Sequence, residues 1–228
     1  MPSSVLCLGM GGSAAAGDFL ASLANLYGST QVNTWRNYDL PNWIKEDSLL
    51  ISTSYSGNTE ETLDSTNKGI EMGLESIVIS SGGKFAEYEN NIKVPSGQPP
   101  RSAFGHLFGA LLRVAISRKI IPKEDTDMLV NRLDETVKEF DFVNNSNSPA
   151  LAIAKTLIGK EIGIVSAPEL DCAGTRFVNQ LNENGGVFAR NNSLPEMNHN
   201  EIIAWTDEIS TKNQALLFLT WDGMHQRV

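Results

Sequence analysis

Three short stretches rich in glycine and hydroxyl side chains constrain this chain more than any other feature. They are GMGGS (9–13), TSYSGNT (53–59) and SSGGK (80–84). Each follows a short apolar run, as in SVLCL or LLIS, and each opens a segment with helical spacing. A strand that reads as continuously apolar is one buried on both faces of a sheet, which is the signature of parallel strands covered by helices. Recurrence of strand, small-residue turn and helix therefore predicts a parallel α/β sheet with right-handed crossovers. In such a sheet the turns leaving the carboxyl ends of the strands form the ligand-binding edge.

The pass along the chain extends this pattern. Strands are expected at SVLCL, QVNTW, DSLLISTS, ESIVIS and, as an edge, NNIKVP; the first helix is expected from Ser13 to Gly28. PPRSAFGHLFGALLRVAISRKI predicts one long helix with Phe104, Leu107, Phe108, Leu111 and Leu112 inward. Residues 123–158 are helical in pattern but lie outside the alternation, and they are expected to link two domains, 1–122 and 159–228. The alternation restarts at KEIGIVSAPELDCAGTRFVNQLNEN, with GVFAR and NQALLFLTW as further strands. Residues 159–228 supply fewer elements than a doubly wound domain uses, so the second domain is expected to be incomplete at its C-terminus.

Charge narrows the ligand. The formal net charge is −9, whereas a polyanion binder concentrates Lys and Arg to displace counterions. A nucleic-acid partner is therefore not expected, and the anion suited to these turns is a small one. Cys7 lies in an apolar run and Cys172 in ELDCAGTRF, contexts that favour two reduced thiols and a cytoplasmic setting. MPSSVLCLGMGG has no basic segment of a signal peptide, and no apolar run approaches membrane-spanning length.

Helix N-termini offer unsatisfied N–H groups and a partial positive charge, so each turn could hold an anion. Serine and threonine at such turns can also be simple caps. That plainer account suffices for SSGGK. It does not suffice for STSYSGNT, residues 52–59, where five Ser and Thr side chains stand while one cap would do. Phosphate is the better reading there. The nucleotide fingerprints are incomplete: GMGGSA puts Ala14 at the third glycine position, no acid ends the second strand, and neither glycine turn continues as G-K-S or G-K-T.

In this order GMGGSAAAGD, SYSGNTEET, SSGGK, PPRSAFG, NQLNENGG and PEMNHNEI resemble the bifunctional phosphoglucose/phosphomannose isomerases of the sugar isomerase (SIS) domain superfamily. The match spans nearly the whole chain. It implies two flavodoxin-like SIS domains, parallel sheets flanked by helices, with the second truncated here. It implies a metal-independent, cofactor-free interconversion of aldose and ketose sugar phosphates, with Ser54, Ser56 and Thr59 on the phosphate and Gly12 and Ser13 lining the same pocket. It also implies that further active-site residues, a threonine and a lysine, lie beyond Val228, and that a helical segment precedes the first strand.

Moving hydrogen between C1 and C2 of a sugar needs a base beside a carbonyl and a donor or cation for the enediolate oxyanion. Ring opening needs an acid/base of near-neutral pKa, which suits histidine. Glu183 in LNENGG could be only a solvated glutamate at a helix end. The resemblance makes it the proton-transfer base, and the role asks for partial burial to raise its pKa. His199 in PEMNHNEI lies in a polar, irregular segment. The resemblance assigns it ring opening, reaching into a partner subunit's site and so making a homodimer the active form. Arg101 follows Pro99 and Pro100 at an expected helix start, where a cation is unfavourable; it is either a surface arginine or the group that steadies the enediolate or assists the phosphate. Glu196 and Glu201 read as supporting or surface acids, and His106 and His225 as structural or incidental. The function expected is an isomerase converting glucose 6-phosphate or mannose 6-phosphate to fructose 6-phosphate through a cis-enediol. The rivals are a non-catalytic sugar-phosphate-binding regulatory module and an enzyme of amino-sugar phosphates.

Overall fold

A computed structural model of the chain describes residues 1–123 and 126–228. They group into two compact units, Met1–Lys123 and Glu124–Val228, and each is built on its own parallel sheet. Residues 124 and 125 of the expected linker lie outside the described residues.

The first unit runs β1 (Ser4–Leu8), α1 (Gly11–Tyr27), β2 (Gln31–Trp35), β3 (Leu49–Ser54), α2 (Glu60–Glu71), β4 (Glu75–Ser80), β5 (Asn91–Lys93) and α3 (Phe104–Ser117). All its strands pair in parallel, in the order β2-β1-β3-β4-β5. Successive strand side chains point to opposite faces, and the cores follow that period. Val5, Cys7, Leu49 and Ile51 pack with Leu20 of α1 and Leu107 and Leu111 of α3. Leu6, Leu8 and Leu50 pack on the other face with Leu74. The apolar runs are thus continuous because both faces are covered.

Two helix starts differ from the sequence expectation. α1 begins at Gly11, so the glycine pair is its first turn and not a loop before it. Residues 100–102 form a separate 3-10 turn, and α3 begins only at Phe104. The 3-10 turn is closed on itself by the Ala103 amide donating to the Pro100 carbonyl at 3.2 Å, before the α-helical pattern begins.

The second unit runs α4 (Thr126–Glu139), α5 (Pro149–Leu157), β6 (Glu161–Ser166), α6 (Asp171–Gly185), β7 (Ala189–Ser193), α7 (Met197–Asn200), α8 (Glu208–Thr211) and β8 (Gln214–Leu219). Its parallel strands stand in the order β7-β6-β8. Ser148 caps α5 by accepting from the Ala150 amide at 3.2 Å, with Pro149 in the first turn. β7 lies further along than the expected GVFAR, because Asn191 and Asn192 carry little strand propensity and pair instead through their side chains. Ile162, Ile164, Val178 and Ala189 close one face, while Val165, Leu194 and Met197 pack on the other.

Cys7 and Cys172 are both free thiols. Burial, with the charge of Asp18 adding to it, pushes the Cys7 thiol up to about 12, so it is an inert core residue. Among the described residues no helix is long and apolar enough to cross a membrane.

Candidate active site

The order β2-β1-β3-β4-β5 reverses direction between β1 and β3, and an open α/β sheet opens a crevice at such a switch point. The turns leaving β1 and β3 are the first two of the three glycine and hydroxyl turns. Ser13 joins them: its Oγ accepts from the Tyr55 amide at 3.2 Å. Within the second turn, Ser54 Oγ lies 2.8 Å from Thr59 Oγ1 and 3.5 Å from Ser56 Oγ. Ser54 is buried, Ser13 and Thr59 are half-buried, and Gly12 and Ser56 are exposed, so the group runs from the sheet end to the surface.

Thr59 is the N-cap of α2, yet its side chain makes no cap hydrogen bond. Met10, the N-cap of α1, makes none either. The N-cap side chains of both helices therefore leave the first-turn amides unanswered beside a cluster of hydroxyls, an arrangement suited to a tetrahedral anion. Glu60 and Glu61 in the first turn of α2 already complement its dipole, and an anion must sit on the hydroxyl side of the turn.

The third turn is a buttress. Gly57, at φ +69, lies so close to Gly82 that an added Cβ would come within 1.8 Å of the Gly82 carbonyl oxygen. The Lys84 amide donates to Asn58 Oδ1 at 3.0 Å, and the Phe85 amide to the Gly57 carbonyl at 3.1 Å. This fixes the curvature of the hydroxyl turn from behind. Arg101 is exposed on the 3-10 turn that leads directly into α3, so the cation stands just ahead of a helix N-terminus, as the sequence pattern suggested.

Glu183 and His199 belong to the second unit. Glu183 stands near the end of α6, and its neighbour Asn182 clamps the start of β7. Asn182 Oδ1 accepts from the Ala189 amide at 2.8 Å, and Gly186, at φ +58, ends the helix. Glu183 itself is exposed, without the partial burial its expected role calls for. His199, also exposed, lies in α7, whose end is closed by the Glu201 amide donating to the Met197 carbonyl at 2.9 Å.

These two residues lie on opposite faces of the second sheet. Ala189 and Asn191 of β7 face α6, where Asn191 reaches Asp171 and Thr175. Arg190 and Asn192 point the other way, to Glu201 beyond α7. The second unit therefore does not bring Glu183 and His199 together.

Glu201, which the sequence marks only as a nearby acid, is the anchor of the His199 segment. It accepts from Arg190 Nη2 at 2.8 Å, from Trp205 Nε1 at 3.0 Å and from the Asn192 side chain. Burial pushes its carboxyl up, but the hydrogen bonds from Arg190, Trp205 and Asn192 and the Arg190 charge outweigh it and hold the net below the ordinary value. Arg190 also bonds Gln214 at 3.0 Å and lies 5.9 Å from the Trp205 ring centre. A cavity of about 360 Å³ beside this network includes Phe188 and Arg190, whose charge Glu201 already answers. No signal in a single sequence links residues 190, 192, 201 and 205.

Comparison with known proteins agrees with this architecture. Residues 146–228 match the family described as "Bacterial phospho-glucose isomerase C-terminal SIS domain". The bifunctional phosphoglucose/phosphomannose isomerase of Thermoplasma acidophilum is 30% identical over 229 residues, covering 99% of this chain and 69% of that protein. The D-glucosamine-6-phosphate 4-epimerase of Sulfolobus acidocaldarius is 30% identical over 206 residues, covering 88% of this chain and 63% of its own length. In fold, the chain is similar to the C-terminal domain of glucosamine-fructose-6-phosphate aminotransferase from Francisella tularensis. The TM-score is 0.70 at 17% identity, over 97% of this chain and 66% of that one.

Proposed function

The chain belongs to the bifunctional phosphoglucose/phosphomannose isomerase family, and from that premise we propose that it converts glucose 6-phosphate, mannose 6-phosphate or both to fructose 6-phosphate. The observation that carries the reading is the hydroxyl turn at the β1/β3 switch point, where Thr59 heads a helix yet turns its hydroxyl to Ser54. Ser54, Ser56 and Thr59, with Gly12 and Ser13, hold the 6-phosphate and leave the sugar chain free to react.

His199 protonates the ring oxygen and the C1 hydroxyl loses its proton, which opens the pyranose. Glu183 then takes the proton from C2 of the open aldose, and electrons move to O1 as the cis-enediolate forms. Arg101 steadies that charge. Return of the carbon-bound proton to C1, as the O2 hydroxyl proton passes to O1 and O2 becomes the carbonyl, gives the ketose. No redox partner enters, because the carbon chain is oxidised at C2 as it is reduced at C1. C1, C2 and the ring oxygen are bonded neighbours, whereas Glu183 and His199 stand on opposite faces of one sheet. The reaction thus needs His199 from a second copy of the chain, and a homodimer whose interface covers Glu183 would also supply the desolvation a carboxylate base requires.

The domain reading that fits this proposal is an SIS domain over 1–122, joining helices over 123–158 and a second SIS domain over 159–228, in a cytoplasmic enzyme of sugar-phosphate metabolism. A coupled assay with both aldose phosphates tests the activity, and Glu183→Gln should abolish turnover and C2 proton exchange while phosphate binding persists. Retained exchange removes Glu183 from the role. The epimerase relative makes glucosamine 6-phosphate the control substrate: its conversion, with neither hexose phosphate consumed, would replace the isomerase reading by one on amino sugars.

A further inference from the structure

We propose that Tyr55 is a positioning residue: its hydroxyl ties the segment carrying Arg101 to the phosphate turn. The inference rests on the proposed phosphate role of residues 53–59. Tyr55 lies within SYSGNT, directly after Ser54, but is 7% exposed, and it belongs to the core cluster of Val94, Ala103 and Leu107. Each of its polar groups reaches a different loop. The amide donates to Ser13 Oγ of the first turn at 3.2 Å. The carbonyl accepts from the amide and hydroxyl of Ser81, in the third turn, at 3.1 and 2.6 Å. The phenolic oxygen accepts from the Gln98 amide at 3.0 Å.

Gln98 immediately precedes Pro99, Pro100 and Arg101. Little slack separates it from the arginine, because two prolines fix φ and residues 99–103 are closed by the Ser102 amide on the Pro99 carbonyl at 2.9 Å and the Ala103 amide on the Pro100 carbonyl at 3.2 Å. Gly97, at φ +91, gives the chain a pivot on the other side. The segment is therefore a stiff arm, hinged at Gly97 and pinned at Gln98 by a side chain whose own backbone belongs to the phosphate turn. Phenylalanine would fill the same core space. The hydroxyl adds a polar end at the rim, where the ring meets the exposed loop.

An anion in the turn and the arm that holds Arg101 should thus be coupled. The test uses Tyr55→Phe, with Tyr88→Phe as the control, since the Tyr88 hydroxyl donates to Asn67, a residue outside both the turn and the arm. Inorganic phosphate affinity is measured by calorimetry, hydrogen exchange is followed over 96–103 with and without phosphate, and kcat and KM are determined for the aldose phosphate. In the wild type and Tyr88→Phe, phosphate should slow exchange over 96–103. In Tyr55→Phe, phosphate affinity should stay within about threefold, while exchange over 96–103 rises about 2- to 10-fold, as loss of one neutral hydrogen bond predicts, and stops responding to phosphate. Its kcat should fall about tenfold with KM nearly unchanged, the split expected of a displaced catalytic cation. If Tyr55→Phe keeps both the phosphate response and kcat, the tie is refuted and the isomerase reading stands. A wild type that couples phosphate to the arm but turns over neither substrate supports the tie and refutes the isomerase. A wild type that does not bind phosphate refutes both.

Discussion

The two units assign chemistry to different kinds of structure. In the first, the proposed phosphate handle is made of consecutive residues in turns, braced backbone against backbone where Gly57 meets Gly82. In the second, the proposed ring-opening histidine depends on side chains from separated positions, Arg190, Asn192, Glu201 and Trp205. Burial differs in the same sense. Both faces of the first sheet are closed by large side chains, whereas β8 is only half-buried and Phe188, Ile203, Ile209 and Phe218 are exposed in the second unit. A turn can be specified by a short motif, while a network needs the whole unit folded before it exists. Perturbations of backbone geometry should therefore fall hardest on the first unit, and perturbations of charge on the second.

Glycine substitution gives the widest separation. At Gly57 an alanine meets left-handed strain and a backbone oxygen at 1.8 Å, and neither neighbour is a flexible side chain. Gly57→Ala should cost at least about 4 kcal/mol, combining roughly 1–3 kcal/mol of backbone strain with displacement of the third turn, and should abolish phosphate binding. Gly186→Ala meets the same sign of φ, +58, in open space, and should cost about 1–2 kcal/mol. Urea unfolding reads both, with Trp35 and Trp43 reporting the first unit and Trp205 and Trp221 the second. Equal losses would mean that the glycine contact does not brace the turn.

Core truncation comes next. Leu50 on the central strand β3 is fully buried, and Leu50→Ala should cost about 3–5 kcal/mol. Leu217 on β8 packs from a half-buried position, so Leu217→Ala should cost about 1–2 kcal/mol. A larger effect at Leu217 would show that β8 is covered in solution, most simply by a second copy of the chain.

The sequence made the first unit legible for the reason that made its site legible: both depend on local patterns. Continuous apolar runs mark β1 and β3, and the surplus of hydroxyls at 52–59 marks the proposed anion turn without reference to any long-range contact. The break between Pro100 and Phe104 is not legible, because the inward apolar spacing begins only at Phe104 and says nothing of residues 100–103. β7 was displaced because its residues, ARNNS, are polar, and their strand conformation depends on partners in α6 and beyond α7. Glu183 and His199 are legible as residue types only through the family resemblance. Their placement on opposite faces follows from which β7 side chains point to α6, a matter of register that no spacing in the chain declares. Tyr55 is plain in the sequence, but its burial and its hydrogen bond to Gln98 are not, because both depend on the packing of distant segments.

Acid should separate the units again. The Glu201 carboxyl sits below its ordinary value, so its contribution to stability is fully present above the unfolded-state pKa near 4.3 and is lost as pH falls through the lower folded value. Below about pH 5 the second unit's unfolding midpoint should drop, and Glu201→Gln should remove this Glu201-linked part of the drop. At neutral pH the substitution should cost about 1–3 kcal/mol, because Arg190 loses its charged acceptor. A wild type and variant with identical pH profiles would mean that Glu201 does not anchor the His199 segment.

The smallest effect belongs to the pair that most resembles the Glu201 contact on paper. Arg118 and Glu75 form an ion pair in the first unit, but their side chains are 43% and 51% exposed, against 37% and 21% for Arg190 and Glu201. Water and salt screen the exposed pair, and ordering two long side chains offsets much of the attraction. Glu75→Gln should change stability by about 0.5 kcal/mol or less, and less still in 0.5 M salt. Both acids are equally plain in the sequence. What distinguishes them is that Glu201 is also held by an indole N–H and an amide, so that its removal strands three donors and not one. Should the two glutamates cost the same, the contrast between a turn-built and a network-built unit would lose its energetic basis.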